Sequence, residues 1–385
     1  MDLRRNHWLA LALTPGLGPT RARKLVGQLG GVDNVFRASL TELEGAGLRA
    51  ESAQSIALGH SLELAEEELL RATSAGAEVL TLDDTAYPEL LRNIYDPPIL
   101  LYVRGDVQLL AAPGVAVVGT RHPTPYGIGM AQRLACDLAA RGIVIISGMA
   151  RGVDTAAHKG ALNGKGKTIA VWGTGVDVPY PRENKRLADD ILAAGGALVS
   201  EFAMGTFAAP QNFPIRNRII SGLALGLLVV EAGEYSGTRI TARCALEQSR
   251  DVYAVPGNVT NRQSWGPNTL IKQGAKLVAT WEDIWEELPS QVKLALQSNL
   301  PPDPKDPASE SNDPSTASLF QDDRLSPAEK KVFRALQPDQ ALQIDELIEK
   351  LEPHLSSSEI FAALFELELA GKIKQLPGKN YVRSF

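Results

Sequence analysis

The sequence predicts an α/β protein built around a doubly wound, mostly parallel β-sheet, with a small all-helical N-terminal domain and a C-terminal winged-helix domain. Three observations carry this prediction. Short apolar runs alternate with helical stretches between residues 110 and 288, as they do when crossover helices join parallel strands. Residues 1–60 contain short helical segments separated by glycine turns. Residues 324–385 contain three helical segments followed by a hairpin.

Length and composition indicate several well-packed domains. The chain has 385 residues, of which 44% are apolar and 22% are charged. We expect a helical domain over 1–75, the sheet domain over 80–288, a flexible linker over 289–323 and the winged helix over 324–385. The linker prediction rests on a segment that is rich in Pro, Ser and Asp and carries little apolar surface.

The composition also narrows the class of protein. No run of 18 apolar residues is present and the N-terminus lacks a signal-peptide pattern, so we expect a cytoplasmic protein without a membrane span. Cys136 and Cys244 make neither a disulfide framework nor a zinc site, and the five histidines show no metal-ligand spacing. We therefore expect no cofactor and no metal.

The charge distribution limits where an anion would bind. The net charge is −6, but Lys and Arg outnumber Asp and Glu in residues 1–60, by 7 to 5, and in residues 110–288, by 18 to 15. A phosphate ligand is therefore expected in one of these two regions.

The N-terminal segment contains a glycine turn that resembles a helix-hairpin-helix. Gly16-Leu17-Gly18-Pro19 precedes a helical stretch that carries Arg21, Arg23 and Lys24. Such a turn can present backbone N–H groups to a DNA phosphate. The alternative is a plain helical packing module. A linker to the sheet domain is expected over residues 80–85.

The elements of the sheet domain follow from the apolar pattern. Short apolar runs predict strands at 115–118, 143–146, 169–171, 197–200, 227–230, 252–254 and 276–278. Helical stretches separate most of them, at 126–140, 155–162, 183–193, 215–223, 238–248 and 281–287.

Two of these strands end in glycine-bearing loops that also carry an arginine. Parallel strands deliver such loops to one edge of the sheet, where open α/β sheets bind their ligands. The free N–H groups of helix N-termini favour an anionic ligand there. The sequence therefore predicts a phosphate site formed by Gly119, Arg121, Ser147, Gly148, Arg151 and Gly152.

A second candidate segment lies about sixty residues downstream. Phe213-Pro214-Ile215-Arg216-Asn217-Arg218 places two arginines and an asparagine around a helix start. Arg216 and Arg218 are predicted to flank an anion with Asn217 between them. Phe213 is predicted to stack on a base, an interaction of about 1–3 kcal/mol. The alternative is that Phe213 covers the core and the arginines pair with acids such as Glu201.

A third candidate segment follows the predicted strand at 227–230. Ser236, Gly237 and Thr238 are able to donate N–H or hydroxyl groups to another phosphate. A plain helix N-cap explains the same residues equally well.

Two familiar nucleotide motifs are excluded. Asn163-Gly164-Lys165-Gly166-Lys167-Thr168 resembles the end of a P-loop, but it has Ala161 where the motif requires glycine, and it precedes a strand rather than a helix. The loop after residue 118 lacks the G-x-G-x-x-G fingerprint, and no acid follows the second strand to bind a ribose. No pair of acids is placed for acid–base catalysis.

The C-terminal helices and hairpin are typical of a winged helix, whose third helix usually contacts DNA. The charged residues of that helix are Glu359, Glu366 and Glu368. Phosphates repel an acidic helix, so a protein-interaction or structural role is favoured.

The motifs of residues 81–280 together resemble the DNA processing protein A family (DprA, also called Smf). The resemblance rests on the number and order of short motifs: Tyr87-Pro88, Asp96-Pro97-Pro98, Gly119-Thr120-Arg121, Ser147-Gly148-Met149-Ala150-Arg151-Gly152-Val153-Asp154, Tyr180-Pro181-Arg182-Glu183-Asn184, Phe213-Pro214-Ile215-Arg216-Asn217-Arg218, Ser236-Gly237-Thr238, Val255-Pro256-Gly257 and Ile271-Lys272-Gln273-Gly274-Ala275. It implies an extended Rossmann-like domain that binds single-stranded DNA, forms a homodimer and helps to load the RecA recombinase in natural transformation.

The resemblance also implies that the protein is not an enzyme. Carried over to this sequence, the DNA pocket comprises Gly119, Arg121, Ser147, Gly148, Arg151, Phe213, Arg216, Asn217 and Arg218. The segment Thr206-Phe207-Ala208-Ala209 departs from the family because many members place a basic residue there.

The rival interpretation is a nucleoside monophosphate hydrolase of the lysine-decarboxylase-like type. Those Rossmann-like enzymes use a Pro-Gly-Gly-x-Gly-Thr-x-x-Glu loop. The nearest stretch here runs from Glu231 to Thr241, lacks the Pro-Gly-Gly run and has Thr241 in place of the glutamate. The sequence therefore argues against hydrolysis.

Overall fold

The computed structural model describes residues 3–297, 326–337, 341–352, 355–370 and 372–383. Two compact units are present. One comprises the chain up to residue 122 together with 131–296, and the other comprises 123–130 and the chain from 297 onward. The larger unit contains both the helical N-terminal domain and the sheet.

The N-terminal domain consists of six helices, α1 Leu3–Leu13, α2 Pro19–Leu29, α3 Val32–Val35, α4 Leu40–Gly45, α5 Ala50–Ala57 and α6 His60–Ser74. Local sequence signals fix their ends. Pro19 stands in the first turn of α2, and Gly30 ends that helix in the left-handed conformation. Ser39 and Glu42 form a capping box at the start of α4. Trp8, Leu11 and Leu43 are among the buried side chains of this domain.

Nine strands form the main sheet: β1 Glu78–Thr81, β2 Leu100–Gly105, β3 Gly114–Val118, β4 Val144–Ser147, β5 Thr168–Val171, β6 Ala197–Ser200, β7 Gly226–Val229, β8 Asp251–Ala254 and β9 Lys276–Leu277. Their order is β1-β2-β6-β5-β4-β3-β7-β8-β9. The seven strands from β6 to β9 in that order are parallel, and β2 and β1 add antiparallel strands at one end. The predicted α/β fold with a mostly parallel sheet is confirmed.

Nine helices accompany the sheet in the described part of the chain: α7 Glu89–Arg92, α8 Pro125–Ala139, α9 Val153–Asn163, α10 Lys185–Ala193, α11 Asn212–Gly222, α12 Thr238–Glu247, α13 Trp265–Lys272, α14 Trp281–Glu287 and α15 Ser290–Gln297. The central strands β3 to β7 are buried along their whole length, as strands covered on both faces must be.

Two predicted linkers need correction. Residues 80–85 were predicted to connect the domains, but strand β1 extends to Thr81, and its backbone pairs with β2. Residues 289–323 were predicted to be a linker from their start, whereas 290–297 form helix α15, which includes the buried Leu296. The remainder of that predicted linker lies outside the described residues.

The helical domain and the sheet share one apolar core. Leu9 of α1 and Ala72 of α6 belong to the same buried cluster as Tyr102, Trp172 and Leu198 of the sheet domain. A buried polar contact adds to this packing, since Glu68 Oε1 of α6 accepts a hydrogen bond of 2.6 Å from the backbone N–H of Met204.

The described part of the C-terminal unit contains α16 Pro327–Ala335, α17 Ile344–Leu351, α18 Ser357–Leu369, and the strands β10 Leu342–Gln343, β11 Ile373–Leu376 and β12 Asn380–Arg383. The strands form a sheet of order β10-β12-β11. Capping boxes at Ser326 and Ser356 start α16 and α18. Gly371, predicted to end the third helix, lies outside the described residues.

The third helix of this unit is acidic and also partly apolar on its surface. Phe361 and Phe365, one turn apart on α18, are both exposed. The surface of this helix therefore combines acidic groups with exposed apolar rings. None of the helices in the described ranges is long and apolar enough to cross a bilayer.

Candidate functional site

A cleft of about 1160 Å³ opens at the carboxyl ends of β3 and β7. These two neighbouring strands are separated by 107 residues of chain (226 − 119), because the chain builds β4, β5 and β6 on one side of β3 before it returns to form β7. An open α/β sheet binds its ligand at such a switch point. The loop after β3 supplies Gly119 and Arg121, and helix α11 supplies Phe213, Arg216 and Asn217.

Arg121 and two aromatic rings form one wall of this cleft. The guanidinium carbon of Arg121 lies 5.5 Å from the centre of the Phe213 ring. The Phe213 ring lies 5.4 Å from that of Tyr180, at an interplanar angle of 35°. Arg121 is exposed, and within the described ranges it forms no salt bridge with an acid. This wall therefore offers a cation and two π-faces to a ligand.

Arg216 serves mainly to hold two strand ends together. Its guanidinium is buried, and its Nη1 donates to the carbonyl oxygens of Gly148, at 2.6 Å, and Val171. Burial lowers the pKa of Arg216 to about 10, while the nearby Asp154 carboxylate acts in the opposite direction. Gly148 must be glycine because an added Cβ would lie 2.3 Å from Arg216 Nη1.

A carboxylate of the protein occupies the amide groups that were predicted to bind phosphate. Asp154 Oδ2 accepts hydrogen bonds of 3.2 Å from the backbone N–H groups of both Gly148 and Ala150. Its side chain is buried, which raises its pKa, although Arg216 counteracts this effect. Ser147 is also fully buried, and its hydroxyl donates to the carbonyl of Val117. Ser147 and Gly148 therefore shape the site from beneath the cleft.

Two glycines of the predicted site have structural roles, one in packing and one in backbone conformation. An added Cβ on Gly119 would lie 2.5 Å from Val153 Cγ2 and 2.9 Å from the carbonyl oxygen of Glu231. Gly152 precedes α9 with a φ of 79°, which other residues adopt only with strain. These glycines let the loop after β3 lie close against the start of α9.

Two of the predicted arginines lie outside the cleft lining. Arg218 is buried and binds both carboxylate oxygens of Glu201, at 2.6 and 2.7 Å, and the carboxylate of Asp96 at 3.1 Å. The interpretation that this arginine pairs with acids such as Glu201 is the correct one, because its guanidinium already binds two carboxylates. Arg151 is exposed and forms an ion pair with Glu183.

The loop before α12 lines the cleft through Ser236, Gly237 and Thr238. The Ser236 hydroxyl donates to Thr238 Oγ1 at 2.9 Å and accepts from the Thr238 N–H at 3.2 Å. The two hydroxyl groups thus bind each other at the helix start, whereas the N-cap residue itself is Gly237 and forms no side-chain cap. Gly237 is exposed, and no atom lies within 4 Å of its ideal Cβ position.

Sequence reasoning missed a set of cleft residues that come from further along the chain. Tyr180 belongs to the connection after β5, and Tyr235, Arg262 and Trp265 belong to the connections after β7 and β8. Tyr180 stands in a family motif for which no site role was predicted, and Trp265 occurs in no spacing pattern that signals a site. Only the strand order brings their loops together.

The described cleft residues do not form a hydrolytic constellation. The acids in the lining are Asp154, which is held by backbone amides, and Glu234, which lies exposed at the rim. Thr241 lines the cleft where the hydrolase loop would place a glutamate. No group of three or more metal-ligating side chains occurs in the part of the chain that the structure describes.

Comparison with known proteins places the chain in a family. Residues 78–289 match the family model described as DNA recombination-mediator protein A. The chain belongs to this family. Residues 302–379 also match the family's winged-helix domain, and both matches confirm the resemblance to DprA and Smf proteins that the sequence motifs indicated.

Individual relatives agree with this assignment. The chain is 39% identical to Protein Smf of Escherichia coli over 347 residues, which covers 89% of this chain and 86% of that protein. The solved structure of DNA processing protein A from Streptococcus pneumoniae is similar, with a TM-score of 0.66, 35% identity and coverage of 74% of this chain and 98% of that chain.

A second solved structure concerns a member described for its single-stranded DNA binding mode. This is DNA processing protein A from Helicobacter pylori, with a TM-score of 0.50 and 30% identity. The similarity covers 58% of this chain and 98% of that chain. This similarity adds to the family assignment.

Proposed function

We propose that this protein binds single-stranded DNA in the cleft between β3 and β7, without catalysing a reaction on it. We further propose that it acts in the cytoplasm as a homodimer that protects incoming DNA and loads the RecA recombinase during natural transformation. The proposal joins the family assignment to the chemistry of the cleft residues.

The observation that carries the proposal is the contact between Arg121 and Phe213. A cation without an acidic partner in the described structure lies over an aromatic ring at the edge of the cleft. An arginine of this kind attracts a phosphate, and the ring offers a surface on which any base can stack. Such a pair supports binding that depends on the backbone and on stacking rather than on base sequence.

Two features support a binding role over the rival hydrolase. Asp154 already uses its carboxylate to accept two backbone N–H groups, so it is poorly placed to activate water. Thr241 offers no carboxylate at the position where the hydrolase motif has one. These arguments favour a ligand that is held and released unchanged.

The central experiment is a titration of fluorescent single- and double-stranded oligonucleotides over a range of salt concentrations. We expect single strands to bind more tightly, with little sequence preference. Arg121→Ala should weaken binding and reduce the slope of log K against log salt by about 0.7, the contribution of one phosphate contact to a single strand. Cleavage of added AMP is followed in a parallel sample to test for hydrolysis.

Arg243→Ala is the matched control for this experiment. Arg243 is exposed on α12, pairs with Glu247 at 2.8 Å, and lies outside the cleft lining. Arg243→Ala changes the net charge by the same amount as Arg121→Ala, and it should leave DNA binding nearly unchanged. The site assignment is wrong if folded Arg121→Ala protein binds as tightly as wild type. Catalytic cleavage of AMP would instead support the rival hydrolase.

Arg216 is unsuitable for the same test. Its removal leaves Asp154 buried without its cation and deprives two backbone carbonyls of a donor. Breaking a buried pair in this way typically costs about 3–5 kcal/mol of stability. A loss of DNA binding by Arg216→Ala would therefore report damage to the fold.

Loading of RecA and dimerisation are tested separately. The first assay follows RecA ATP hydrolysis on single-stranded DNA that is already coated with a single-strand-binding protein, with and without this protein. Sedimentation equilibrium gives the oligomeric state. Failure to accelerate RecA would remove the loading role while leaving DNA binding intact.

A further inference from the structure

A second set of aromatic side chains lines the cleft, and these side chains are left facing solvent. Tyr235 is 92% exposed and Trp265 is 38% exposed, although both belong to the cleft lining. A large aromatic side chain that is left facing water contributes little to the fold. The exposure of two such side chains in one cleft is therefore better explained by a ligand that covers them.

Each wall of the cleft pairs an aromatic ring with an arginine. Arg239 is not itself a lining residue, but it follows the lining residue Thr238 and lies over the Trp265 ring at 5.5 Å, the same separation as between Arg121 and Phe213 on the first wall. Arg262 is exposed in the same lining as Trp265. Neither Arg239 nor Arg262 forms a salt bridge within the described ranges. The second wall therefore carries positive charge beside its aromatic surface.

This second wall is held firmly against the end of β7. The Ala232 N–H donates to the carbonyl of Gln263 at 2.7 Å, and the Gly266 N–H donates back to the carbonyl of Ala232 at 2.7 Å. Gly266 has to be glycine, since an added Cβ would lie 2.6 Å from the Ala232 carbonyl oxygen. These two hydrogen bonds bracket Trp265 in the chain and fix the backbone that carries it.

We propose that Tyr235 and Trp265 form a second base-stacking wall, with Arg239 and Arg262 contacting the adjoining phosphates. The ligand class is an oligonucleotide of several nucleotides, with bases stacked on both walls of the cleft. This inference rests on the proposed single-stranded DNA binding. The cleft volume agrees with it, because about 1160 Å³ exceeds the roughly 300–1,000 Å³ typical of sites for one small molecule.

The chemistry of the wall favours single strands over duplexes. Stacking on Trp265 requires a base with a free π-face, which a paired and stacked duplex base does not present. It also tolerates all four bases, because each of them has such a face. The second wall should therefore extend the length of strand that is bound without adding sequence preference.

The experiment compares Trp265→Ala, Trp265→Phe and Arg121→Ala with wild type, using oligo-dT of increasing length and fluorescence anisotropy. Trp265→Ala should weaken the binding of the longer oligonucleotides at least about fivefold, the loss of one stacked base, with a smaller effect on the shortest ones. Trp265→Phe should restore most of the affinity because it keeps a ring. Arg121→Ala should weaken binding at every length.

Tryptophan emission provides an independent readout. Trp281 and Trp285 contact each other outside the cleft lining, at a ring separation of 6.0 Å, and serve as internal references. DNA should quench wild-type emission through Trp265, and Trp265→Phe should lose most of this quenching. Circular dichroism establishes that each variant is folded.

The outcomes separate this inference from the proposed function. If wild type does not bind single-stranded DNA, the proposed function fails and the second wall fails with it. If wild type binds and Arg121→Ala weakens binding, but folded Trp265→Ala binds every length as wild type does, the second wall is overturned and the proposed function stands. Quenching that persists in Trp265→Phe would also overturn it.

Discussion

Arginines of similar local sequence context have different roles in this protein. Arg121 faces the cleft over Phe213, Arg216 is buried beneath the cleft, and Arg218 is paired with Glu201 and Asp96. The difference is set by the acids and carbonyls that the fold brings to each guanidinium. Only an arginine without such partners keeps its charge available to a ligand.

His158 shows how burial fixes the state of a titratable residue. It is fully buried on α9, and its Nδ1 contacts Thr168 Oγ1 at 2.7 Å. The Thr168 hydroxyl donates to the Ile145 carbonyl, so it accepts from Nδ1–H. Nε2 has no hydrogen-bond partner in the described residues. Burial lowers the pKa of His158 to about 3, and the ring is neutral in the folded protein.

This neutral histidine predicts a loss of stability in acid. Below pH about 6.5 the unfolded chain binds a proton on His158, while the folded protein does not until about pH 3. His158 therefore causes no loss of stability above pH 6.5. As the pH decreases from there towards 3, its protonation in the unfolded chain lowers the free energy of unfolding by about 1.4 kcal/mol per pH unit. Urea unfolding at a series of pH values measures it.

Two variants test whether His158 causes this pH dependence of stability. His158→Asn retains a donor near Thr168 and should unfold with a pH dependence that is shallower than that of wild type by about one proton. His60→Gln alters the exposed histidine that begins α6 and should follow the wild-type curve. Equal slopes for His158→Asn and wild type would show that His158 takes up its proton in the folded protein.

At the scale of elements, close contact between helices fixes the geometry beneath the cleft. Helix α9 carries Gly160 at its contact with α8, where an added Cβ would lie 2.3 Å from the backbone carbonyl of Gln132 and 3.0 Å from Ala135 Cβ. The same helix begins at Gly152 and carries Asp154 in its first turn. A shift of α9 would therefore move the residues that support the cleft floor.

Gly160→Ala is expected to lower the free energy of unfolding by about 1–3 kcal/mol, the usual cost of overpacking. Gly27→Ala is the matched control, because Gly27 lies inside α2 with open space around its ideal Cβ position. That substitution should raise stability by about 0.5–1 kcal/mol, the helix propensity difference between the two residues. Denaturant titration of both variants checks the opposite signs. A stabilising Gly160→Ala would contradict the close contact.

The sequence predicted the central elements well because their signals are local. Strands β3 to β7 are apolar along their whole length, and the predicted strand bounds agree with the structure to within one residue at each end. Strand β1 was missed because it has only four residues, lies at the edge of the sheet and shows no periodic pattern of apolar residues. Helix α15 was missed because prolines and serines nearby dominated the composition of its segment.

Only part of the site could be predicted from the sequence, because some of its residues are positioned by contacts with distant parts of the chain. The loop after β3 and helix α11 were correctly brought together, because strand ends meet at a switch point. The burial of Arg218 depends on Asp96, which is 122 residues away, and no local pattern reveals that partner. Trp265 enters the cleft only because β8 lies beside β7.

At the scale of the whole molecule, the shared core predicts that the helical domain and the sheet unfold together. Ala72 is completely buried in that core, whereas Leu70 of the same helix is exposed. Ala72→Arg should lower the free energy of unfolding by about 3 kcal/mol or more, because it buries a charge. Leu70→Arg should have little effect. Calorimetry of Ala72→Arg should show the loss of stability as a shift of one unfolding transition that includes the sheet.

Two separate transitions in Ala72→Arg, with the sheet melting at its wild-type temperature, would contradict the shared core. A single shifted transition would mean that the helical domain cannot open while the sheet domain stays intact. Stability of the cleft would then depend on α1 and α6, which lie on strands β1 and β2 at the far end of the sheet order.

The carboxylate of Asp154 has a consequence for ligand choice. It fills the amide pocket at the start of α9 that many doubly wound proteins leave open for the terminal phosphate of a nucleotide. A free mononucleotide, whose strongest anchor is that doubly charged phosphate, finds these amide groups already occupied by the Asp154 side chain. A polymer carries one charge per phosphate and spreads its attachment over many weak contacts. We therefore expect a free mononucleotide to compete only weakly with the proposed DNA ligand.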